Sequence, residues 1–368
     1  MSKIFVTKTF LPPEKEYQEY VSGIFQRCQL TNQGPLLKEL EARLSEYLGV
    51  KHFHYITNGT VALQLALRVL GIDGGEVITT PFSYVATTSA ILWEHCVPVF
   101  VDIDRETLAL DPARIEEAIT PRTRAIMPVH VFGYPCDVDA IQEIADKHHL
   151  KVIYDAAHAF GVRYRGQSLL NYGDISTLSF HSTKLFHTIE GGACIVKDKA
   201  VSDELEVMKR FGHDSDRHIC MGINAKQSEF HAAMGLALLP HLPEIYAGRR
   251  RVSEQYDALL KGCVKRPKSV PDLEYNYAYY PVIFRSEEEL LKVLRTLNRM
   301  GIYPRRYFHP SLNKLPYLER QIACPVSEDI ASRIACLPLY PELPAEIVEK
   351  ISSTIRQVLQ EEAGGAEC

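Results

Sequence analysis

Lys151–Gly161 reads KVIYDAAHAFG, and Ser179–Gly192 reads SFHSTKLFHTIEGG. The first is a short apolar run that ends on an acid, Asp155. The second leaves another such run, Ile175–Phe180 (ISTLSF), and carries Lys184 among hydroxyls ahead of a Gly-Gly pair. Similar β-rich runs precede them at Glu76–Thr80 (EVITT), Val97–Ile103 (VPVFVDI) and Arg124–Val131 (RAIMPVHV). Helical patterns lie between several of these runs. Thr60–Leu70 places Leu63, Leu67 and Leu70 on one face with Ala62, Ala66 and Val69 beside it, and Asp137–His149 turns Ile141, Ile144 and Ala145 inward. Strands alternating with helices predict a mostly parallel sheet covered on both faces, here between about residues 45 and 240.

Beyond that core, Leu242–Leu260 reads as a long helix whose Arg249–Arg251 run is expected on a solvated face. Tyr275–Phe284 reads as a strand, and Glu287–Met300 and Ile347–Gln360 as helices, which predicts a small C-terminal α+β lobe. The expected division is 1–245 for a large domain, with an N-terminal helical segment ahead of the α/β core, and 246–368 for a small one. The 368 residues suit such a pair, and 46% hydrophobic with 24% charged residues excludes a disordered or collagen-like chain. A net charge of −5 argues against a nucleic-acid polymer as partner, so an anionic ligand has to be met by local groups.

Nine cysteines are scattered without a CxxC pair, which argues against a disulfide framework and a zinc site and predicts reduced thiols in the cytoplasm. His181 and His187 lack a third ligand at useful spacing, so no metal is expected. No apolar stretch suggests a signal peptide or a membrane span, and no GxGxxG follows an early strand as a nicotinamide enzyme requires.

In open α/β sheets ligands bind beyond the carboxyl ends of strands. Four features fall there. Asn58-Gly59-Thr60 opens a helix whose free N–H groups suit a phosphate, although taken alone it reads more readily as an N-cap by Thr60. Asp155 is either a structural cap or a functional carboxylate. Lys184 is a candidate imine-forming nucleophile. Gly222–Glu229 (GINAKQSE) leads into an Ala-rich helix and taken alone is a capped loop. Together, a phosphate cradle, a strand-end aspartate and a downstream lysine are the parts that hold pyridoxal phosphate.

The chain resembles the DegT/DnrJ/EryC1/StrS family of pyridoxal-phosphate sugar aminotransferases. The likeness runs through LTNQGP (30–35), NGTVALQLAL, TTPFSYVATTSAI, PVFVDID, DAAHAFG, SFHSTKLFHTIEGG, GINAKQSEFHAAMGLA, GIYPRRYFHP (301–310) and LPLYPEL (337–343). It implies fold type I, with a mostly parallel seven-stranded sheet sandwiched by helices and a smaller C-terminal α+β domain. It implies pyridoxal 5'-phosphate as cofactor, with pyridoxamine phosphate as its aminated form. Lys184 would hold the cofactor covalently and shuttle the proton, and Asp155 would bind the pyridine nitrogen. His158 would stand near the phenolic oxygen, where the family often has Gln. Gly59, Thr60 and Ser179 would hold the phosphate, and Tyr84 would stack on the ring. Asn224 would reach the cofactor phosphate of a neighbouring subunit, which implies a homodimer with shared sites. Candidate substrate contacts are Asn32, His187, Glu190, Lys226, Arg305 and Arg306. Lys226 stands where the family commonly has Arg, and Arg305 and Arg306 suit a nucleotide diphosphate.

The implied reaction takes the amino group of L-glutamate, leaving 2-oxoglutarate, and passes it to a nucleotide-linked keto sugar. The subfamily likeness favours dTDP-4-keto-6-deoxy-D-glucose as acceptor and dTDP-4-amino-4,6-dideoxy-D-glucose as product. A place in O-antigen and lipopolysaccharide, other surface-polysaccharide or natural-product sugar biosynthesis goes with it. A 3-aminotransferase or UDP-sugar specificity stays open. The family's dehydratase branch carries His in the lysine place, and a non-catalytic regulatory member would have lost Lys184 or Asp155; both are present.

Overall fold

The computed structural model describes residues 3–364. Its central sheet has seven strands: β1 (His52–Ile56), β2 (Glu76–Thr79), β3 (Val97–Phe100), β4 (Thr123–Met127), β5 (Lys151–Asp155), β6 (Ile175–Ser179) and β7 (Gly192–Val196). Their spatial order is β1-β7-β6-β5-β4-β2-β3. β7 runs antiparallel to both neighbours, and the other neighbouring pairs are parallel. The five expected runs all became strands, with ends shifted by a few residues. β1 and β7 escaped sequence reading: β1 interleaves His52 and His54 with its apolar residues, and β7 opens on a glycine.

Successive strand residues face opposite cores, as a pleat requires. Ile78, Ile126, Val152 and Ala193 join one apolar cluster, whereas Val77, Ala125, Ile153 and Cys194 join the other. The first cluster is covered by α2 (Pro35–Leu48), α5 (Val138–His148) and α7 (Glu229–Leu238). The second is covered by α3 (Gly59–Val69), α4 (Ala86–Trp93) and α6 (Lys199–Met208). α1 (Glu14–Arg27) packs on α7. The N-terminus of α2 is held from a distance in sequence, since the Glu229 carboxylate accepts from Leu36 N at 3.0 Å and Leu37 N at 2.9 Å. This bond joins the GPLLKEL and NAKQSE segments.

α8 (Leu242–Leu259) leaves the sheet and carries Val252 and Tyr256 into a further apolar cluster. That cluster lies between an antiparallel pair, β8 (Tyr280–Ile283) with β9 (Ile334–Leu337), and helices α9 (Glu287–Arg299) and α10 (Ala345–Gly364). The expected long strand at 275–284 is thus confined to its last residues. The Arg run on α8 also differs from expectation: Arg249 is only 3% exposed and donates to Ala278 O at 3.1 Å, while Arg250 and Arg251 stay exposed. The short strand Ile4–Phe5 pairs with Ile302–Tyr303. Thr9 and Phe10 then bond to Ser182 and His187, so the N-terminal segment runs from its pairing with Ile302–Tyr303 to the lysine loop.

One close approach fixes the sheet to α3. A Cβ on Gly192 would meet the backbone of Asn58 at 2.5 Å and Gly59 N at 2.7 Å. Gly192→Ala is expected to cost about 1–3 kcal/mol, because the clash is with backbone rather than a flexible side chain. A urea denaturation midpoint equal to that of the unaltered chain would contradict the contact.

Candidate active site

The carboxyl ends of β5 and β6, the start of α3 and the loop ahead of α4 open together on a cavity of ≈ 590 Å³. Its walls include Gly59, Thr60, Tyr84, Asp155, His158, Ser179 and Lys184. Every cofactor candidate from the sequence except Asn224 therefore meets in one place. The lobe beyond α8 adds Tyr279, Arg305, Tyr307 and Phe308.

At the α3 end, the N-cap is Asn58, not Thr60: Asn58 Oδ1 accepts from Val61 N at 2.9 Å, and its backbone carbonyl accepts from Ala62 N at 3.1 Å. Gly59 N–H and Thr60 N–H make no hydrogen bond within the described residues and face the cavity at the positive end of a helix, the arrangement that receives a phosphate. A Cβ on Gly59 would crowd Ser179 Cβ at 3.0 Å, so glycine lets the helix start sit against the end of β6.

Asp155 is buried, with Oδ2 accepting from Thr87 Oγ1 at 2.7 Å and Oδ1 from Ala157 N at 3.1 Å. Thr87 in turn bonds Ser83 Oγ at 2.8 Å. Burial raises the carboxyl above its ordinary value, against the pull of those donors and of Lys184. A cationic nitrogen placed there would relieve the desolvation. His158 is also buried; its Nδ1 accepts from Phe132 N at 3.0 Å, so the neutral ring carries its proton on Nε2. Burial first, and then the charge of Lys184, hold it well below the usual imidazole range. It is therefore a neutral N–H donor, the chemical equivalent of the amide of Gln.

Lys184 sits in a tight loop between β6 and β7, with Lys184 N bonded to His181 O at 2.8 Å and the loop closed by Phe180 N to Gly191 O at 2.7 Å. Its Nζ donates to Tyr279 Oη at 3.3 Å. Burial lowers the amine from 10.5 to about 8, although Asp155 and Tyr84 oppose the shift. Tyr84 is 54% exposed at the cavity rim, an open ring face. Phosphate cradle, deep carboxylate, neutral imidazole and amine of lowered basicity fit pyridoxal phosphate.

Of the substrate candidates, Glu190 and Arg305 line the cavity, as does His181. His187 does not: Nε2 donates to Phe10 O at 2.8 Å and Nδ1 accepts from Ile189 N at 3.2 Å, so both nitrogens hold backbone. Arg306 is likewise engaged, with Glu287 Oε1 and Ser332 O both at 2.7 Å. Asn32, Lys226 and the cofactor candidate Asn224 lie outside this chain's cavity, and Asn224 is exposed. They share a neighbourhood instead. Gln33 bonds Glu206, which pairs with Lys209 Nζ at 2.8 Å, and Ala225 N donates to Lys209 O at 3.1 Å. Gln227 ties this segment back to Thr57 O at 3.1 Å and Glu190 O at 2.8 Å. Thr87, Gln227, Tyr279 and Tyr307 were not singled out from sequence. Thr87, Gln227 and Tyr307 had a signal, since all three lie inside motifs of the resemblance, whereas Tyr279 lies outside them. No group of three His, Cys, Asp or Glu side chains suits a metal among the described residues, and no helix there is long and apolar enough to cross a membrane.

A lysine and an acid just past adjacent strands, beside a bare helix N-terminus in this sheet order, fit a pyridoxal-phosphate enzyme of the α/β type. The DegT/DnrJ/EryC1/StrS aminotransferase family matches residues 13–356, and the chain belongs to that family. It is 44% identical to a dTDP-4-amino-4,6-dideoxy-D-glucose transaminase of Shigella dysenteriae, over 96% of this chain and 99% of the relative. An Escherichia coli enzyme of the same description is 39% identical, over 95% and 97%. Among solved structures, DesI in the presence of its TDP-sugar product superposes with a TM-score of 0.91 at 31% identity, covering 98% of this chain and 93% of that one.

The Lys184 amine should be half neutral near pH 8, where an ordinary lysine is only about 0.3% neutral. Competitive acylation of the cofactor-free protein, read by peptide mass spectrometry, should show reactivity at Lys184 rising through about pH 8. Asp155→Asn removes the charge that favours the ammonium, so the midpoint should move lower; a midpoint at the ordinary lysine value would contradict the desolvated site.

Proposed function

We propose that this chain uses pyridoxal 5'-phosphate to move the amino group of L-glutamate to dTDP-4-keto-6-deoxy-D-glucose, giving dTDP-4-amino-4,6-dideoxy-D-glucose. The observation that carries the chemistry is the pairing of Lys184 with Asp155 across one cavity beside the start of α3. The sugar rests on the two relatives that share this activity over nearly their full lengths.

When bound, the cofactor supplies a conjugated ring that takes up the electron pair left as a proton departs from the amine-bearing carbon. Asp155 would hold the ring nitrogen and its proton, at a carboxylate already fixed by Thr87 and Ala157. His158 Nε2–H would donate to the ring oxygen. Gly59 N–H, Thr60 N–H, the Thr60 hydroxyl and Ser179 Oγ would hold the phosphate, and Tyr84 would cover the ring. Lys184 would anchor the cofactor. As a free amine it would take up the proton from the amine-bearing carbon and give it back, in one direction for the donor and in the other for the sugar. An amine near pH 8 is suited to both directions, because its neutral and charged forms are both populated. Arg305, at the cavity mouth beside the Tyr307 ring (4.8 Å), meets the diphosphate of the sugar nucleotide.

A second copy of the chain completes the site. Asn224 is exposed, lies outside the lining of its own cavity, and belongs to a stretch whose Phe211, Ile219, Met221 and Ile223 are exposed apolar residues, which supports a covering partner. In the homodimer Asn224 reaches the phosphate held by the partner. The product would feed O-antigen, other surface-polysaccharide or natural-product sugar biosynthesis.

The purified protein should be yellow, and glutamate should bleach its absorbance. With glutamate and dTDP-4-keto-6-deoxy-D-glucose, NMR should place the new amine on C4; amination at C3, or turnover only with UDP-linked acceptors, would replace the sugar assignment. Lys184→Ala should lose turnover by at least 10³-fold, as a rough scale for removing an essential covalent group. Mixing inactive Lys184→Ala with an Asn224→Ala variant of poor cofactor retention should create heterodimers with one intact site. Failure of mixed dimers to bind cofactor better than Asn224→Ala alone would contradict the shared site.

A further inference from the structure

Tyr279 stands immediately before β8 and puts its hydroxyl 3.3 Å from Lys184 Nζ, the one hydrogen bond that amine makes within the described residues. Its ring is buried, packed on His158 at 4.6 Å, Phe132 at 5.7 Å and Tyr307 at 5.8 Å. Its backbone is fixed from several directions. Tyr275 Oη lies 3.1 Å from Tyr279 O and 3.0 Å from Phe132 O, its single hydrogen shared between the two carbonyls. Asn276 Nδ2 holds His158 O at 2.8 Å and Phe160 O at 3.0 Å, while Asn276 Oδ1 accepts from Ala278 N at 3.1 Å. Arg249, buried without a carboxylate partner, spends its Nη1 on the carbonyls of Tyr277 and Ala278. Three side chains thus order this five-residue segment, and the group they aim is one phenol.

We propose that Tyr279 is the positioning residue for the catalytic lysine: its oxygen accepts one N–H of Lys184 whenever that amine is free of the cofactor, and so sets the direction of the nitrogen lone pair. The proposal rests on the aminotransferase reading of the site. In the transfer the C–H bond of the substrate carbon breaks, its electron pair stays on the substrate side, and the proton forms a new N–H bond on Lys184. In the return step one N–H bond of the ammonium breaks and its electron pair becomes the lone pair again. Tyr279 gives up no proton in either direction; burial pushes its hydroxyl up, so it stays a neutral phenol. A neutral acceptor holds the amine without the strong bias toward ammonium that a carboxylate at the same distance would impose.

The groups facing the amine are Asp155 at the end of β5, His158 in the following loop, Tyr84 ahead of α4, and Tyr279 itself. Those acting on Tyr279 are Cys336, Arg249, Arg305 and Asp155. Because the tyrosine belongs to the chain leading into β8, the amine is oriented by the same lobe that carries Arg305, Tyr307 and Phe308.

Tyr279→Phe keeps the ring and removes the acceptor. In the cofactor-free protein, competitive acylation of Lys184 should show its midpoint lowered by about one unit, the scale of one hydrogen bond to a charged group. In the loaded enzyme kcat should fall on the order of tenfold, with KM for glutamate within about twofold. An unchanged acylation midpoint, or an unchanged kcat, overturns the proposal. Circular dichroism equal to the unaltered chain excludes misfolding, and Tyr279→Leu should reproduce both shifts if the hydroxyl rather than the ring is responsible. The acylation readout needs no turnover, so it stands apart from the aminotransferase reading, whose own failure would be seen as activity retained in Lys184→Ala.

Discussion

The start of α3 touches the sheet with no side chain in between. Gly192 on β7 and Gly59 on the helix let backbone meet backbone, and Ser179 closes the gap from the end of β6. The lysine loop runs from Ser179 to Gly192, so both of its ends are set by this contact. Its interior is then folded on itself by Phe180–Gly191, Thr188–Phe180 and Lys184–His181 bonds. A side chain at either glycine would separate the helix dipole from the amine. Phosphate cradle and lysine are consequently placed by one packing constraint.

Around that contact the site works by desolvation. The same burial raises the Asp155 carboxyl, lowers the Lys184 amine and keeps His158 neutral. Each shift moves a group toward the uncharged state. Thr87 and Ala157 temper it for the acid and Asp155 for the lysine, while the charge of Lys184 adds to it for His158. The result is a cavity in which charge is costly until a ligand with complementary charge enters. Segments remote in sequence bear the cost of holding it. Glu229 caps α2, Gln227 links Thr57 to Glu190, and the buried Lys209, 1% exposed, joins Glu41 and Glu206 beneath the Asn224 segment.

Much of the central sheet was legible. Five of its strands read as β-rich runs because most of their residues are buried, and α3 and α5 show helical periodicity. β1 and β7 were hidden because polar residues and a glycine interrupt the pattern, although long-range pairing supplies what local propensity lacks. Arg249 looked like surface because a charge run reads as solvated; the fold buries it by offering backbone carbonyls instead of a carboxylate. His187 reads as an available ligand in the sequence, but the carbonyl of Phe10, in the segment after the N-terminal strand, occupies its Nε2.

The sequence by itself determined the chemistry-bearing pieces: an acid closing an apolar strand, a lysine among hydroxyls before Gly-Gly, and a glycine opening a helix. Those are local patterns, each readable within a dozen residues. Only the tertiary structure decided which of them share a cavity, that Asn58 rather than Thr60 caps α3, and that Arg305 faces the site while Arg306 faces Glu287 and Ser332. The reason is physical. Side-chain direction and desolvation depend on neighbours brought from far along the chain, and the tyrosine that meets Lys184 lies ninety-five positions away from it.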